Sequence, residues 1–255
     1  MDFCNKPEFW RYVKSLKNTT ADHYILTCEM NVSQRSKLMD LGCVVVDVHL
    51  NHSSNFFIMR NAAYNKFLLN LSEYNYIAIT DAKDVIFQRD VFELANNGTY
   101  ITTEGFLHKD SPWNTTDQAN FHSSVKPDYK DQVKLPVDLS EKLVLNGGII
   151  LGDPAELYNI TYLLSNIGIY CNNVDSFTDQ AVLNHYYYTN RFKCRISDPK
   201  VDNICITGEA IKEGFMDEHF LYRFTDNKFL TKDGEPYFLV HQWDRTKYKD
   251  EILND

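Results

Sequence analysis

The stretch "YIAITDAKDVIFQRDVF", Tyr76–Phe92, organises the reading of the whole chain. Ile77–Thr80 is a short apolar run that feeds directly into Asp81-Ala82-Lys83-Asp84, and Val85-Ile86-Phe87 turns apolar again. β-Branched runs of this kind read as buried strands. Carboxylates at the end of a buried strand stand where an α/β sheet presents its ligands, beyond the carboxyl ends of its strands. A tight turn lets Asp81 and Asp84 converge. Paired carboxylate oxygens suit a hard divalent cation, which can in turn share a phosphate-bearing substrate. The bland counterpart is a solvated turn in which Lys83 offsets two surface acids.

Working outward, the first half alternates. An amphipathic helix near 7–17, with Phe9, Tyr12, Val13 and Leu16 on one face, precedes the strand-like "HYILTC" (23–28). Ser33 is a helix cap ahead of Gly42, "CVVVDVHL" (43–50) is a second strand, and residues 56–72 carry apolar side chains in helical order before "YIAIT". This β-α-β-α-β order predicts an α/β fold with a mixed, mainly parallel central sheet, right-handed crossovers and helices on both faces. Residues 105–140 lose periodicity, hold Pro112, Pro127 and Pro136, and read as a long loop of the kind that carries function. Then "LVLNGGIILGD" (143–153) reads as a strand broken by Gly147-Gly148, Pro154 opens a helix, and Thr178 caps "DQAVLNHYYY". Short strands follow near 192–196 and 202–206, and "PYFLVHQWDR" closes an apolar run on His241. No linker, repeat or low-complexity tract divides the 255 residues, so a single domain is expected.

Composition bounds the partners. A net charge of −9 with no basic run argues against nucleic acid and anionic lipid. No 18-residue apolar run exists to span a membrane, and the N-terminus lacks an apolar signal core. Six scattered cysteines without a C-x-x-C pair read as reduced thiols, which favours a cytoplasmic protein. Seven N-x-[ST] sequons, at Asn18, Asn31, Asn51, Asn70, Asn97, Asn114 and Asn159, cut the other way, but the chain is Asn-rich and two of them fall in apolar helical stretches.

Four constellations carry chemistry. The Asp81/Asp84 pair is the first. Asn146 beside the paired glycines can meet a hydroxyl-rich ligand, and glycines inside a strand mark close approach of backbone or ligand. Asp179 opens a helix, where it either supports the N-terminus or acts on substrate. His241 is an acceptable Mn²⁺ ligand, with Arg245 and Lys247 following as phosphate contacts. A haloacid-dehalogenase-type phosphatase would need a second Asp two residues after Asp81, where this chain has Lys83.

In this order the four resemble a GT-A-fold glycosyltransferase of the nucleotide-diphospho-sugar transferase kind, distantly like the glycogenin and bacterial galactosyltransferase group. "ITDAKDVIFQRDVF" is similar to that family's variant DxD string, "LNGGIILGD" to its N-[AG]-G strand, "TDQAVLN" to its D-Q helix, "VHQWDR" to its H-Q-[YW]-D-R ending, and "SPWN" (111–114) to its P-W-N segment. The likeness spans about residues 60 to 247. It implies one GT-A domain, with a nucleotide-binding half over 1–104 and an acceptor-side half over 105–255. It further implies metal-dependent transfer of a sugar from a nucleotide donor, most often UDP-linked, to a glycan or other hydroxyl acceptor. Asp84 and His241 would hold Mn²⁺ or Mg²⁺, with Asp81 assisting the metal or holding the ribose. Arg60, Lys66, Lys83 and Lys247 would meet the nucleotide and its phosphates. Asn146, Gly147, Trp113, Asn114 and Gln180 would line the sugar and acceptor side, and Asp179 would sit nearest the reacting carbon as the catalytic carboxylate. Two departures stand out: the acids are spaced D-x-x-D, and Val91 replaces a proline before Phe92. The competing readings are a sugar-phosphate nucleotidyltransferase, which would open with a glycine-rich phosphate loop where this chain has "EMNVSQR", and a non-catalytic nucleotide- or carbohydrate-binding module.

Overall fold

The computed structural model describes residues 3–49, 55–95, 97–198, 204–208 and 223–254. Its strands are β1 (His23–Thr27), β2 (Cys43–Asp47), β3 (Ile77–Thr80), β4 (Val85–Phe87), β5 (Tyr100–Leu107), β6 (Leu143–Gly152), β7 (Arg195–Ser197), β8 (Cys205–Thr207), β9 (Arg223–Thr225), β10 (Lys228–Leu230) and β11 (Leu239–His241). Its helices are α1 (Pro7–Ser15), α2 (Val32–Asp40), α3 (Phe56–Leu68), α4 (Pro112–Ser124), α5 (Lys130–Val133), α6 (Pro154–Asn166), α7 (Asp179–Tyr188) and α8 (Lys249–Leu253). The α/β class is as expected. The sheets are mixed.

The largest sheet runs β3-β6-β5-β7, with β6 antiparallel to both β3 and β5 and only β5–β7 parallel. A second sheet, β4-β11-β8, pairs β11 antiparallel to β4 and parallel to β8. The parallel β1–β2 pair lies apart from both, so the mainly parallel central sheet expected from the alternation is not formed among the described residues. The reason is β6. It arrives from the second half of the chain and pairs antiparallel with both β3 and β5, which makes the largest sheet mixed.

The expected structureless segment 105–140 is largely regular. β5 runs to Leu107, and α4 begins at Pro112 with Ser111 accepting the Asn114 N–H. Ser followed by Pro at the first helical position is a start signal in its own right, because Pro lacks only an N–H that the first turn leaves unpaired. Elsewhere the caps shift by a residue or two. α2 is capped by Asn31 in a reciprocal box with Gln34, not by Ser33. α3 ends at Leu68, with Asn55 capping its start, and Leu69 is exposed beyond it.

Two apolar clusters flank β6. Leu145 and Ile150 face one, built with α3, α4, α6 and α7 around Phe121, Leu157 and Val182. Ile149 and Leu151 face the other, which holds Phe9, Tyr12, Val13 and Leu16 of α1, as the α1 face predicted, together with Val85 and Leu239. Between these faces the pairing with β5 passes from Ile101–Ile150 to Thr103–Leu145. Residues 146–149 therefore outnumber their partners and bulge from the ladder. Bulges of this kind re-aim side chains beside functional sites. Asn184 of α7 clamps the bulge, donating to the Leu145 carbonyl at 3.0 Å and accepting the Leu145 N–H at 2.8 Å. That clasp sets the N-terminus of α7 over Gly147.

Candidate metal centre and its cavity

Asp81 leaves β3 with its N–H bonded to the Gly148 carbonyl at 2.8 Å, which fixes the motif against the β6 bulge. Asp84 precedes β4, where Val85 pairs with His241 of β11. Two strand pairings thus bring three residues distant in sequence to one point. The His241 Nε2 lies 3.6 Å from Asp84 Oδ1 and 3.8 Å from Asp81 Oδ2. One ligand atom from each of the three falls within 4.8 Å of the others. His241 is only 2% exposed. Immediately after it, Gln242 takes a left-handed backbone with φ +56, a conformation that turns the chain sharply and leaves Arg245 on the cavity.

Gly148 makes this approach possible. A Cβ there would come within 2.4 Å of the His241 ring and 2.9 Å of Asp81 Oδ2, so no side chain fits. Gly147 differs: its nearest neighbours, Arg60 Nη2 and Asp179 Oδ1, would lie 3.7 and 3.8 Å from a Cβ. The pair of glycines singled out in sequence therefore divides into one that admits the histidine and one that opens onto the cavity.

The electrostatics separate the two acids. Burial pushes the Asp81 carboxyl above its ordinary range; the neighbouring Asp84 charge adds to this, and Arg60 opposes it. Burial would raise Asp84 too, but His241, Lys83 and Arg245 outweigh it and bring its pKa down to about 2. For His241, burial disfavours the cation, yet the facing Asp84 and Asp81 win and raise its pKa. Two close carboxylates and the imidazole Nε2 that faces them make a donor set that a divalent cation would satisfy. The residues present fit such an ion.

Arg60 ties this centre to the predicted catalytic carboxylate. Its Nη1 donates to Asp81 Oδ1 at 2.8 Å, its Nε donates to Asp179 Oδ2 at 2.9 Å, and its Nη2 lies 2.8 Å from that same oxygen. Asn61, one residue on, donates to the same Oδ2 at 2.8 Å. Arg60 is thus placed in the site, held by two carboxylates that keep its guanidinium charged. Asp179 is 7% exposed and stands at the first position of α7. Thr178 occupies the cap position, but its hydroxyl and N–H both go to Asp117, at 2.6 and 3.0 Å.

A cavity of about 600 Å³ opens over these groups, lined also by Glu104, Phe57, Trp113 and Gln242. Its far wall is an amide array. Asn146 donates to Glu104 and accepts the Gly148 N–H at 2.7 Å. Gln180 donates to Asn114 Oδ1 at 2.9 Å and accepts the Gly147 N–H at 3.3 Å. Trp113, 56% exposed, stands at the rim. Such a wall is suited to hydroxyl groups, with an aromatic edge against which an apolar sugar face can pack.

Of the sequence-stated site residues, the cavity gathers Arg60, Asp81, Asp84, Trp113, Asn114, Asn146, Gly147, Asp179, Gln180 and His241. The three lysines are not among the residues that line the cavity. Lys66 is exposed on α3 and does not line the cavity, because six residues along a helix from Arg60 its side chain emerges on another face. Lys83 is drawn away by Asp244, 2.9 Å from its Nζ. Lys247 projects over the Tyr248 ring, and Arg245 lines the cavity instead. Sequence reasoning passed over Glu104 and Asn61. Glu104 carried a usable signal, an acid inside the otherwise uncharged strand "TYITTEGF"; Asn61 carried none.

The six cysteines are all free thiols, and no helix among the described residues is long and apolar enough to cross a membrane. No known protein family matches the chain, and no curated protein matches it.

Proposed function

We propose that the chain is a divalent-metal-dependent glycosyltransferase of GT-A architecture that moves a sugar from a nucleotide-diphosphate donor, a UDP-sugar in the first instance, to a hydroxyl of a glycan or similar acceptor. The observation that carries this reading is the placement of the Asp81, Asp84 and His241 ligand atoms within 4.8 Å of one another beside a cavity that also holds Arg60, Arg245 and an amide wall. Phosphate, cation and polyol each find matching groups there.

Asp84, the more acidic carboxylate, and His241 would hold Mn²⁺ or Mg²⁺, with Asp81 as the third ligand or the ribose contact; imidazole favours Mn²⁺. When bound, the cation supplies Lewis-acid stabilisation of the charge that develops on the leaving diphosphate. Arg245 adds a fixed positive charge on the same side. The acceptor oxygen bonds to the anomeric carbon as the bond to the diphosphate oxygen breaks. Arg60 and Asn61 hold Asp179 through Oδ2, with Oδ1 toward Gly147, so the carboxylate is oriented across the bulge. It would take the acceptor's proton or, if the anomer is retained, steady positive charge on the sugar ring while the leaving diphosphate oxygen takes that proton. Asn114, Gln180 and Trp113 would position the sugar and acceptor.

Calorimetry with UDP, with and without Mn²⁺, followed by chromatographic detection of sugar transfer or slow donor hydrolysis, tests the reading. Metal-dependent nucleotide affinity that disappears in Asp84→Ala supports it. Metal-independent affinity that survives in Asp84→Ala overturns it. Binding without any transfer or hydrolysis favours the non-catalytic module.

A further inference from the structure

The turn that carries Asp81 and Asp84 is fastened at both ends. At its entry the Asp81 N–H bonds to the Gly148 carbonyl at 2.8 Å. At its exit Val85, the first residue of β4, pairs with His241, the last of β11. Asp84 lies just outside that ladder, at a strand end of the kind that frays most readily.

Asp244 supplies a third fastening. Its Oδ2 accepts from the Lys83 Nζ at 2.9 Å. Lys83 immediately precedes Asp84, and Asp244 follows His241 by three residues. The contact therefore closes a ring: Lys83, Asp84 and Val85 along one segment, the Val85–His241 pairing, then His241 to Asp244 along the other. Asp84 and His241, whose Oδ1 and Nε2 lie 3.6 Å apart, both belong to that ring. Asp244 itself has a fixed place, because Trp243 before it is fully buried in an apolar cluster with Ile86, Phe229, Tyr237 and Val240. A mobile kind of turn is thus tied to a rigid post.

Energetically the pair suits a role in position better than one in stability. Exposed lysine–carboxylate pairs contribute little. Here the Asp244 side chain is only 11% exposed, and its second oxygen, Oδ1, is buried with no hydrogen-bond partner among the described residues. Desolvating a carboxylate in this way offsets much of what one ion pair contributes. A neighbouring pair makes a useful contrast: Lys249 Nζ lies 2.7 Å from Glu8 Oε1 and joins α8 to α1 rather than to the ligand turn.

Resting on the metal reading of this centre, we propose that Lys83 and Asp244 are positioning residues: their ion pair holds Asp84 and His241 at the spacing a divalent cation needs, although neither side chain belongs to the ligand set. Groups that orient metal ligands commonly change affinity by about 10–100-fold. Charge alone predicts a different pattern. Removing the Lys83 cation would then favour a bound cation, and removing the Asp244 anion would oppose it.

The probe is Mn²⁺ alone, titrated into the full chain and followed by the electron paramagnetic resonance of the free ion, with thermal melts of every variant. Lys83→Met and Asp244→Asn should each weaken binding about tenfold. The double variant should be no weaker than either single one, because the same contact is lost in all three. Lys83→Arg, which keeps the pair, should bind nearly as well as the unaltered chain. Glu8→Gln, which breaks the α1–α8 pair, should leave the affinity unchanged even where it lowers Tm. Tighter binding in Lys83→Met, additive losses in the double variant, equal affinity throughout, or losses that follow Tm across all variants would each overturn the proposal and leave the metal centre standing. No Mn²⁺ binding by the unaltered chain would overturn the metal reading and this proposal with it.

Discussion

Gly148 and His241 approach so closely that a single methyl group on the glycine would lie 2.4 Å from the imidazole. The bulge in β6 and the end of β11 are thereby locked in one arrangement, and Asp81 is tied to it through the Gly148 carbonyl. Gly148→Ala must displace His241, and groups that orient metal ligands commonly change affinity by about 10–100-fold. We expect at least about a tenfold loss of metal-dependent nucleotide affinity and about 1–3 kcal/mol of stability. Gly147→Ala, which has room for its methyl, should keep its thermal stability. Calorimetry and thermal melts of the two variants check this. Equal behaviour would remove the steric argument.

The Arg60 bridge is a buried charge network, and breaking one side leaves carboxylates uncompensated. Arg60→Leu should cost about 3–5 kcal/mol in urea unfolding, since Asp179 is almost fully buried and loses its cation. Arg60→Leu with Asp179→Asn should recover part of that loss, because the charge is removed with its partner. A double variant no more stable than the single would show that the bridge is not what holds the two elements.

Asp84 gives a signed acid dependence. Its folded pKa of about 2 lies below the ordinary 3.8, so its contribution is present above the ordinary value and lost as pH falls through the folded one. The shift corresponds to stability on the order of 2 kcal/mol for a group that is mostly buried. Comparing metal-free unaltered protein with Asp84→Asn by urea unfolding across this acid window should show a difference that shrinks as pH drops. A constant difference would assign the effect to packing.

His241 has the opposite sign. Its pKa is raised above 6.5, so the protonated ring stabilises the metal-free fold below that value and the contribution fades as pH rises through the folded pKa. A metal needs the neutral ring, so Mn²⁺ must displace the proton. Titrations in two buffers of different ionisation enthalpy should reveal proton release at neutral pH, with affinity rising as pH increases. Mn²⁺ binding without proton release would exclude His241 as a ligand.

Trp113 separates acceptor from donor. It is more than half exposed at the rim, so Trp113→Ala should leave Tm and Mn²⁺-dependent UDP affinity unchanged. On the glycosyltransferase reading it should lower kcat/KM for the acceptor about tenfold, the scale of one lost aromatic contact. A matching fall in UDP affinity would place Trp113 on the nucleotide instead.

Much of this site was legible along the chain. Ile77–Thr80 running into Asp81 and Asp84, Gly147-Gly148 inside a strand, Asp179 at a helix start and His241 at a strand end are local signals, each set by backbone chemistry within a few residues. The α/β class, the apolar face of α1 and the start of α6 at Pro154 come from the same source. Even the missed α4 had its signal in Ser111-Pro112. Pairing across distance was not legible. That β6 would take the edge of β3 and bulge at Gly147, that Lys83 would turn to Asp244, and that Arg60 would bridge Asp81 and Asp179 depend on contacts between segments tens of residues apart. Residue type and local spacing decide which groups can bind a cation or take a proton; strand register decides which of them meet, because a pairing shifted by one residue turns each side chain to the other face.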